Sequence, residues 1–171
     1  EHGTAMATQF HLAQLYHALA DYSKARKDFE QIRTYLVKQQ GVSGTRTVFI
    51  SNELLKTLIA VKDNKAALKL GEVNWQAAKD SLPSAHPVRI SSQYHYARAL
   101  GVSGKFVRCL ANMEESIEVA NSTFGEQDFR TASIVTEKAH FQNLAGRTEL
   151  AKASIARALK VLLGSVGEKH L

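Results

Sequence analysis

The stretch HLAQLYHALADYSKARKDF, from His11 to Phe29, decides the fold. It reads as two amphipathic helices joined by a tight turn at Ala20-Asp21-Tyr22. Leu12, Ala13 and Tyr16 fall at helical spacing before the turn, and Ala25, Phe29 and Ile32 after it. Helices joined by so short a turn must approach closely, and the small residues Ala13, Ala20 and Ala25 are expected at that approach.

Shifted copies of the hairpin fill the rest of the chain. The first pair is expected from about residue 5 to 40 and stops at Gly41-Val42-Ser43-Gly44, glycines being the usual signal just past a periodic segment. A second pair runs from about Thr45 to Leu82, turns at Lys62-Asp63-Asn64 and stops at Pro83-Ser84-Ala85-His86-Pro87. A third, from about Val88 to Phe124, turns at Ser103-Gly104-Lys105, and a fourth, from about Phe129 to Leu163, turns at Gly146-Arg147. A shift of 42 residues superposes them: Ala25 maps to Ala67, Cys109 and Ala151, all small, and Gly41 maps to Pro83, Gly125 and Gly167, all helix breakers. Such fixed self-similarity marks a solenoid. The expected architecture is all-α, a single domain of four helix-turn-helix repeats at about 1–42, 43–84, 85–126 and 127–168.

Composition narrows the class further. The 171 residues are 44% hydrophobic and 22% charged, with two prolines, as in a globular helical protein. The net charge of +6 invites a nucleic-acid reading, but residues 1–85 and 86–171 each hold 11 Lys+Arg against 8 Asp+Glu, with no basic tail. The lone Cys109 excludes an internal disulfide and a cysteine-based zinc site and suits a reducing, cytoplasmic compartment; it is expected as a core filler. No apolar run reaches the roughly 20 residues that span a bilayer. Because the chain opens on Glu1 rather than Met, it is expected to be a piece of a larger polypeptide.

The pattern Leu12-Ala13-x-x-Tyr16-x-x-x-Ala20-Asp21-Tyr22-x-x-Ala25-x-x-x-Phe29-x-x-Ile32 resembles the tetratricopeptide repeat (TPR), and the longer period resembles its kinesin-light-chain type. The second repeat departs most, with Lys62, Gly71 and Asn74 where Ala20, Phe29 and Ile32 stand in the first; Gly71, costing about 1 kcal/mol within a helix, is expected to soften it. The resemblance implies a right-handed α-solenoid whose concave face is lined by the first helix of each repeat and binds a partner protein or peptide. Carried over by register, its ligand-facing rows are Phe10, Asn52, Tyr94 and Thr136, and Gln14, Lys56, Arg98 and His140, with His17 on the same face. Asn52 beside Lys56, and Tyr94 beside Arg98, resemble the pairs by which the family holds peptide carboxylates and backbone, so the ligand is expected to carry acidic residues.

Other chemistries find little support. The chain has no G-x-S-x-G, no H-E-x-x-H and no phosphate-loop motif on a strand, so it is expected not to be an enzyme and to need no cofactor. Equivalent positions alternate as His11, Glu53, His95 and Glu137, but equivalent residues of packed repeats lie about 10 Å apart, so the histidines are expected on the surface and no metal site is expected. The alternative function is a nucleic-acid-binding helical repeat using a basic concave face. A homo-oligomer through the uncapped fourth pair, around Leu159, Val161 and Leu162, is a further expectation.

Overall fold

The computed structural model describes residues 2–166. Within them lie eight α-helices in antiparallel pairs: α1 (His2–Ala18) with α2 (Tyr22–Gln40), α3 (Thr45–Ala60) with α4 (Asn64–Ser81), α5 (Pro87–Val102) with α6 (Phe106–Phe124), and α7 (Phe129–Leu144) with α8 (Thr148–Val166). The helices α3, α5 and α7 open 42 residues apart, as do α2, α4, α6 and α8. The chain is an all-α repeat solenoid.

Each hairpin turns by the same device. The amide N–H groups of Asp21, Asp63, Lys105 and Arg147 donate back to the carbonyls of Tyr16, Leu58, Leu100 and Gln142 at 2.8–3.0 Å. That bond needs the residue before it in the left-handed region. Gly104 (φ 74°) and Gly146 (φ 75°) suit this, while Ala20 and Lys62 are forced into it at φ 59°. Ala20 is therefore exposed in the turn rather than at the helix–helix approach, contrary to the sequence expectation. Asp21 and Asp63 then cap the following helices, accepting from the Lys24 and Ala66 amides.

The approach itself is made by Ala25, Ala67 and Cys109, all fully buried, with Ala151 nearly so. Burial pushes the Cys109 thiol up to about 12, so it stays a neutral apolar filler.

The second pair is regular in its helices. Helix α4 runs unbroken through Gly71, and a Cβ there would lie 3.3 Å from the Tyr96 ring and 3.5 Å from the Ala99 methyl. The missing side chain is what admits α5 to α4. Asn74 is buried as well, donating to Asn52 Oδ1 at 2.8 Å and to the Val48 carbonyl at 3.3 Å. The two departures from the repeat pattern thus belong to one closely fitted junction between the second and third pairs.

Helices α3 and α5 pack directly on each other, and α5 touches α7, while the even-numbered helices do not pack against one another to that degree among the described residues. Crowding on the odd-numbered side makes it the inner, concave face.

Candidate functional site

The inner face carries two clefts of the same construction. The first is walled by Met6, Phe10, Leu36, Phe49 and Ile50, with Arg46 on its rim. The second is walled by Ile90, Tyr94, Phe124, Phe129 and Ile134, with Arg130 on its rim. A shift of 84 residues carries Met6, Phe10, Arg46 and Ile50 onto Ile90, Tyr94, Arg130 and Ile134. These are one cleft built twice, at the first and third junctions between pairs. Phe10 stands 5.6 Å from the Phe49 ring and 6.2 Å from the Phe29 ring, centre to centre, which fixes the first floor. In the second, burial pushes the Tyr94 phenol up to about 12, and the Arg98 guanidinium lies 5.7 Å above its ring. Arg130 lies 3.6 Å above the Phe124 ring and is held by Asp128, whose carboxyl the arginine keeps down at about 2.

At the middle junction a polar seam stands where the other two are apolar. Asn52 is 2% exposed. Its amide accepts from Asn74 and from the Ser92 hydroxyl (3.1 Å), and donates to Ser91 Oγ (3.4 Å). Asn52 is thus a structural residue joining α3, α4 and α5, and not a ligand-facing one as the register implied.

The two cations of the second expected row are both in ion pairs. Lys56 is paired with Glu53 at 2.7 Å, and Arg98 with Glu137 of the next pair at 2.7 Å. The glutamates of the neighbouring row neutralise both, so the face has no continuous basic stripe. Gln14 and His140 are exposed on that face, and the Thr136 hydroxyl is spent on its own helix, donating to the Ala132 carbonyl. His17 meets the Thr57 hydroxyl at 3.1 Å across α1 and α3, and burial lowers its pKa.

His95 departs most from expectation: it is buried, not on the surface. Burial, reinforced by Arg98 and Lys56 nearby, holds it neutral, well below the usual histidine range, and its Nδ1 has no hydrogen-bond partner. It lines the second cleft beneath Tyr94. The structure therefore brings Phe10 and Tyr94 into equivalent clefts and takes Asn52 out of the face. Arg46, Phe49, Phe124, Phe129 and Arg130 were missed by reading one 42-residue unit at a time. The double period, Phe10 with Tyr94 and Arg46 with Arg130, was the signal that would have found them.

Stacked helix pairs with a grooved inner face define an all-α helical-repeat solenoid. Its particular form is the TPR-like repeat fold, shared with kinesin light chain-like proteins. Two crystal structures of a Podosopora anserina kinesin light chain with nearly identical TPR-like repeats, one of a single-residue variant, superpose with a TM-score of 0.82 at 20% identity. They cover 99% of this chain and 80–81% of theirs. BtubC (BKLC) from P. vanneervenii superposes with a TM-score of 0.75 at 17% identity, over 94% of this chain and 63% of its own. The chain matches no protein-family profile and no curated protein. No described helix is long and apolar enough to cross a membrane.

Proposed function

We propose that this chain is a non-catalytic adaptor that binds a linear segment of a partner protein along its inner face, one apolar side chain in each cleft. The observation that carries this reading is the recurrence of the same apolar cleft, with an arginine at the same rim position, two pairs apart. Packed helices lie about 10 Å apart, so the clefts sit roughly 20 Å from each other, the span of about six extended residues. The ligand is then a peptide with two large apolar residues about that far apart. Arg46 makes no ion pair among the described residues, so an acidic residue beside the first anchor is favoured, whereas Arg130 is already held by Asp128. Neutralisation of Lys56 and Arg98 removes the basic stripe that nucleic-acid binding would use. The four pairs act as one domain, and a single buried cysteine suits a cytoplasmic setting.

Selection of displayed peptides on the intact chain, followed by anisotropy titration, tests the reading. Ser133→Trp, which fills the second cleft from an exposed position, and Arg46→Glu at the first are each expected to weaken the selected peptide about tenfold or more. Peptides that bind both variants as tightly as the parent would place the site elsewhere.

A further inference from the structure

The outer side of the first junction between pairs holds a cationic groove that the later junctions do not repeat. It lies between α2 and α4 with α3 beneath, encloses about 330 Å³, is floored by Leu54, Leu58 and Leu70, and is edged by Arg26, Arg33 and Lys69. Arg33 is half-buried, and its Nε donates to Ser51 Oγ on α3 at 2.9 Å. The Ser51 hydroxyl itself donates to the Thr47 carbonyl at 2.8 Å, which fixes Ser51 as the acceptor. The two terminal nitrogens of Arg33 have no partner among the described residues. Burial pulls this guanidinium below the usual arginine range, with no carboxylate to offset it. The nearby carboxylates of Glu30 and Asp63 are both taken by Arg26, at 2.8 and 3.1 Å. Lys69, on the opposite wall, makes no ion pair among the described residues either. In the next two outer grooves the places of Arg33 and Lys69 hold Trp75 and Ala111, then Ile117 and Ala153.

We infer that this outer groove docks an acidic segment of a partner protein, an aspartate or glutamate on Arg33 and a neighbouring aliphatic side chain on the leucine floor. Charge selects the occupant. Arginine keeps its charge when partly buried, and a charge drawn out of water is costly until a counter-ion faces it. With Nε held by Ser51, the terminal nitrogens remain as a fork, the geometry that takes a carboxylate through two parallel bonds. Lys69 supplies a second cation from the other wall. Glu30 lines the groove too, and Asp63 adjoins it through Arg26, so a dianionic phosphate meets more repulsion there than a single carboxylate does. The groove shares no lining residue with either inner cleft, which leaves the chain able to hold two segments at once, one on each side.

The test is a displayed library in which every peptide carries an aspartate or glutamate beside an aliphatic residue, selected on the 171-residue chain and followed by anisotropy titration. Selected peptides are expected to lose about tenfold in affinity on Arg33→Met, the loss of a charge-assisted pair, with native circular dichroism as the check on folding. Lys69→Glu, at an exposed position, is expected to weaken them several-fold without touching the core, more at low salt than at high. Arg46→Glu and Ser133→Trp, which alter the inner clefts, are expected to leave these peptides unaffected, so the outer site stands or falls apart from the inner one. Phosphoserine in place of the acidic residue is expected to bind more weakly, and tighter binding would overturn the choice of a carboxylate. A library that yields no binder sensitive to Arg33→Met or Lys69→Glu overturns the inference. Loss on Arg46→Glu or Ser133→Trp, with none on the outer variants, overturns it equally and assigns the acidic segment to the inner face.

Discussion

Replacing Lys62 by glycine is expected to stabilise the chain, although Lys62 is the residue that makes the second repeat look poorly written. Lys62 sits at φ 59°, where the equivalent Gly104 and Gly146 sit at 74° and 75°. A side chain in the left-handed region costs about 1–2 kcal/mol, because its Cβ crowds the following carbonyl. Glycine removes that strain but adds chain entropy to the unfolded state, returning about 0.5–1 kcal/mol. The net gain is about 0.5–1 kcal/mol, which for a chain of this size raises Tm by about 2 °C. Ala20→Gly, at the same φ in a different turn, should add independently. Urea or thermal unfolding by circular dichroism measures both, with Gly146→Ala as the reverse control, expected to lose about 1 kcal/mol. If Lys62→Gly instead destabilises by about 1 kcal/mol, as glycine does within an exposed helix, the shared turn geometry is wrong.

Three further outcomes follow from the core. Asn74→Ile and Asn52→Leu should each cost about 1–3 kcal/mol by orphaning a buried partner, while the double variant should cost less than their sum by about 1 kcal/mol in a double-mutant cycle. Gly101→Ala would put a Cβ 2.3 Å from the buried Phe141 ring; an overpacking loss of about 1–3 kcal/mol is expected, partly recovered in chemical denaturation by adding Phe141→Leu. Because the folded pKa of His95 is depressed, its contribution is complete above about pH 6.5 and is lost as pH falls below it, where the unfolded chain takes up a proton that the native one refuses. Stability measured from pH 8 to pH 5 should decline by up to about 1.4 kcal/mol per pH unit from this residue, and His95→Gln should flatten that slope, leaving the smaller part due to His17.

The sequence disclosed the scaffold because its signals are local. Asp21 with Asp63, and Gly104 with Gly146, mark the turns, and the small residues at 25, 67, 109 and 151 set the register. The inner face was less legible because its outcome depends on which repeats meet. Asn52 looks like a solvated helix residue until Asn74 and Ser92, 22 and 40 residues away, are seen to enclose it. Arg98 looks like a free cation until Glu137, from the next pair, reaches it. His95 shares a row with exposed His11, yet the close approach of α3 and α5 buries it.

The seam at the middle junction also restricts how such an array can be rearranged. A solenoid with a strict 42-residue period would seem to consist of exchangeable parts, in which any unit could be duplicated, deleted or transplanted without loss of phase. Here the second and third units are matched to each other: Gly71 leaves the space that Tyr96 fills, and Asn74 and Ser92 converge on Asn52. A copy of the first unit in second place would bring Phe29 against Tyr96 and put Phe10 where Asn52 stands, leaving the Ser92 hydroxyl only the Val88 carbonyl of its own helix. The array can therefore lengthen or shorten at its two ends, but the middle couple has to be inherited together.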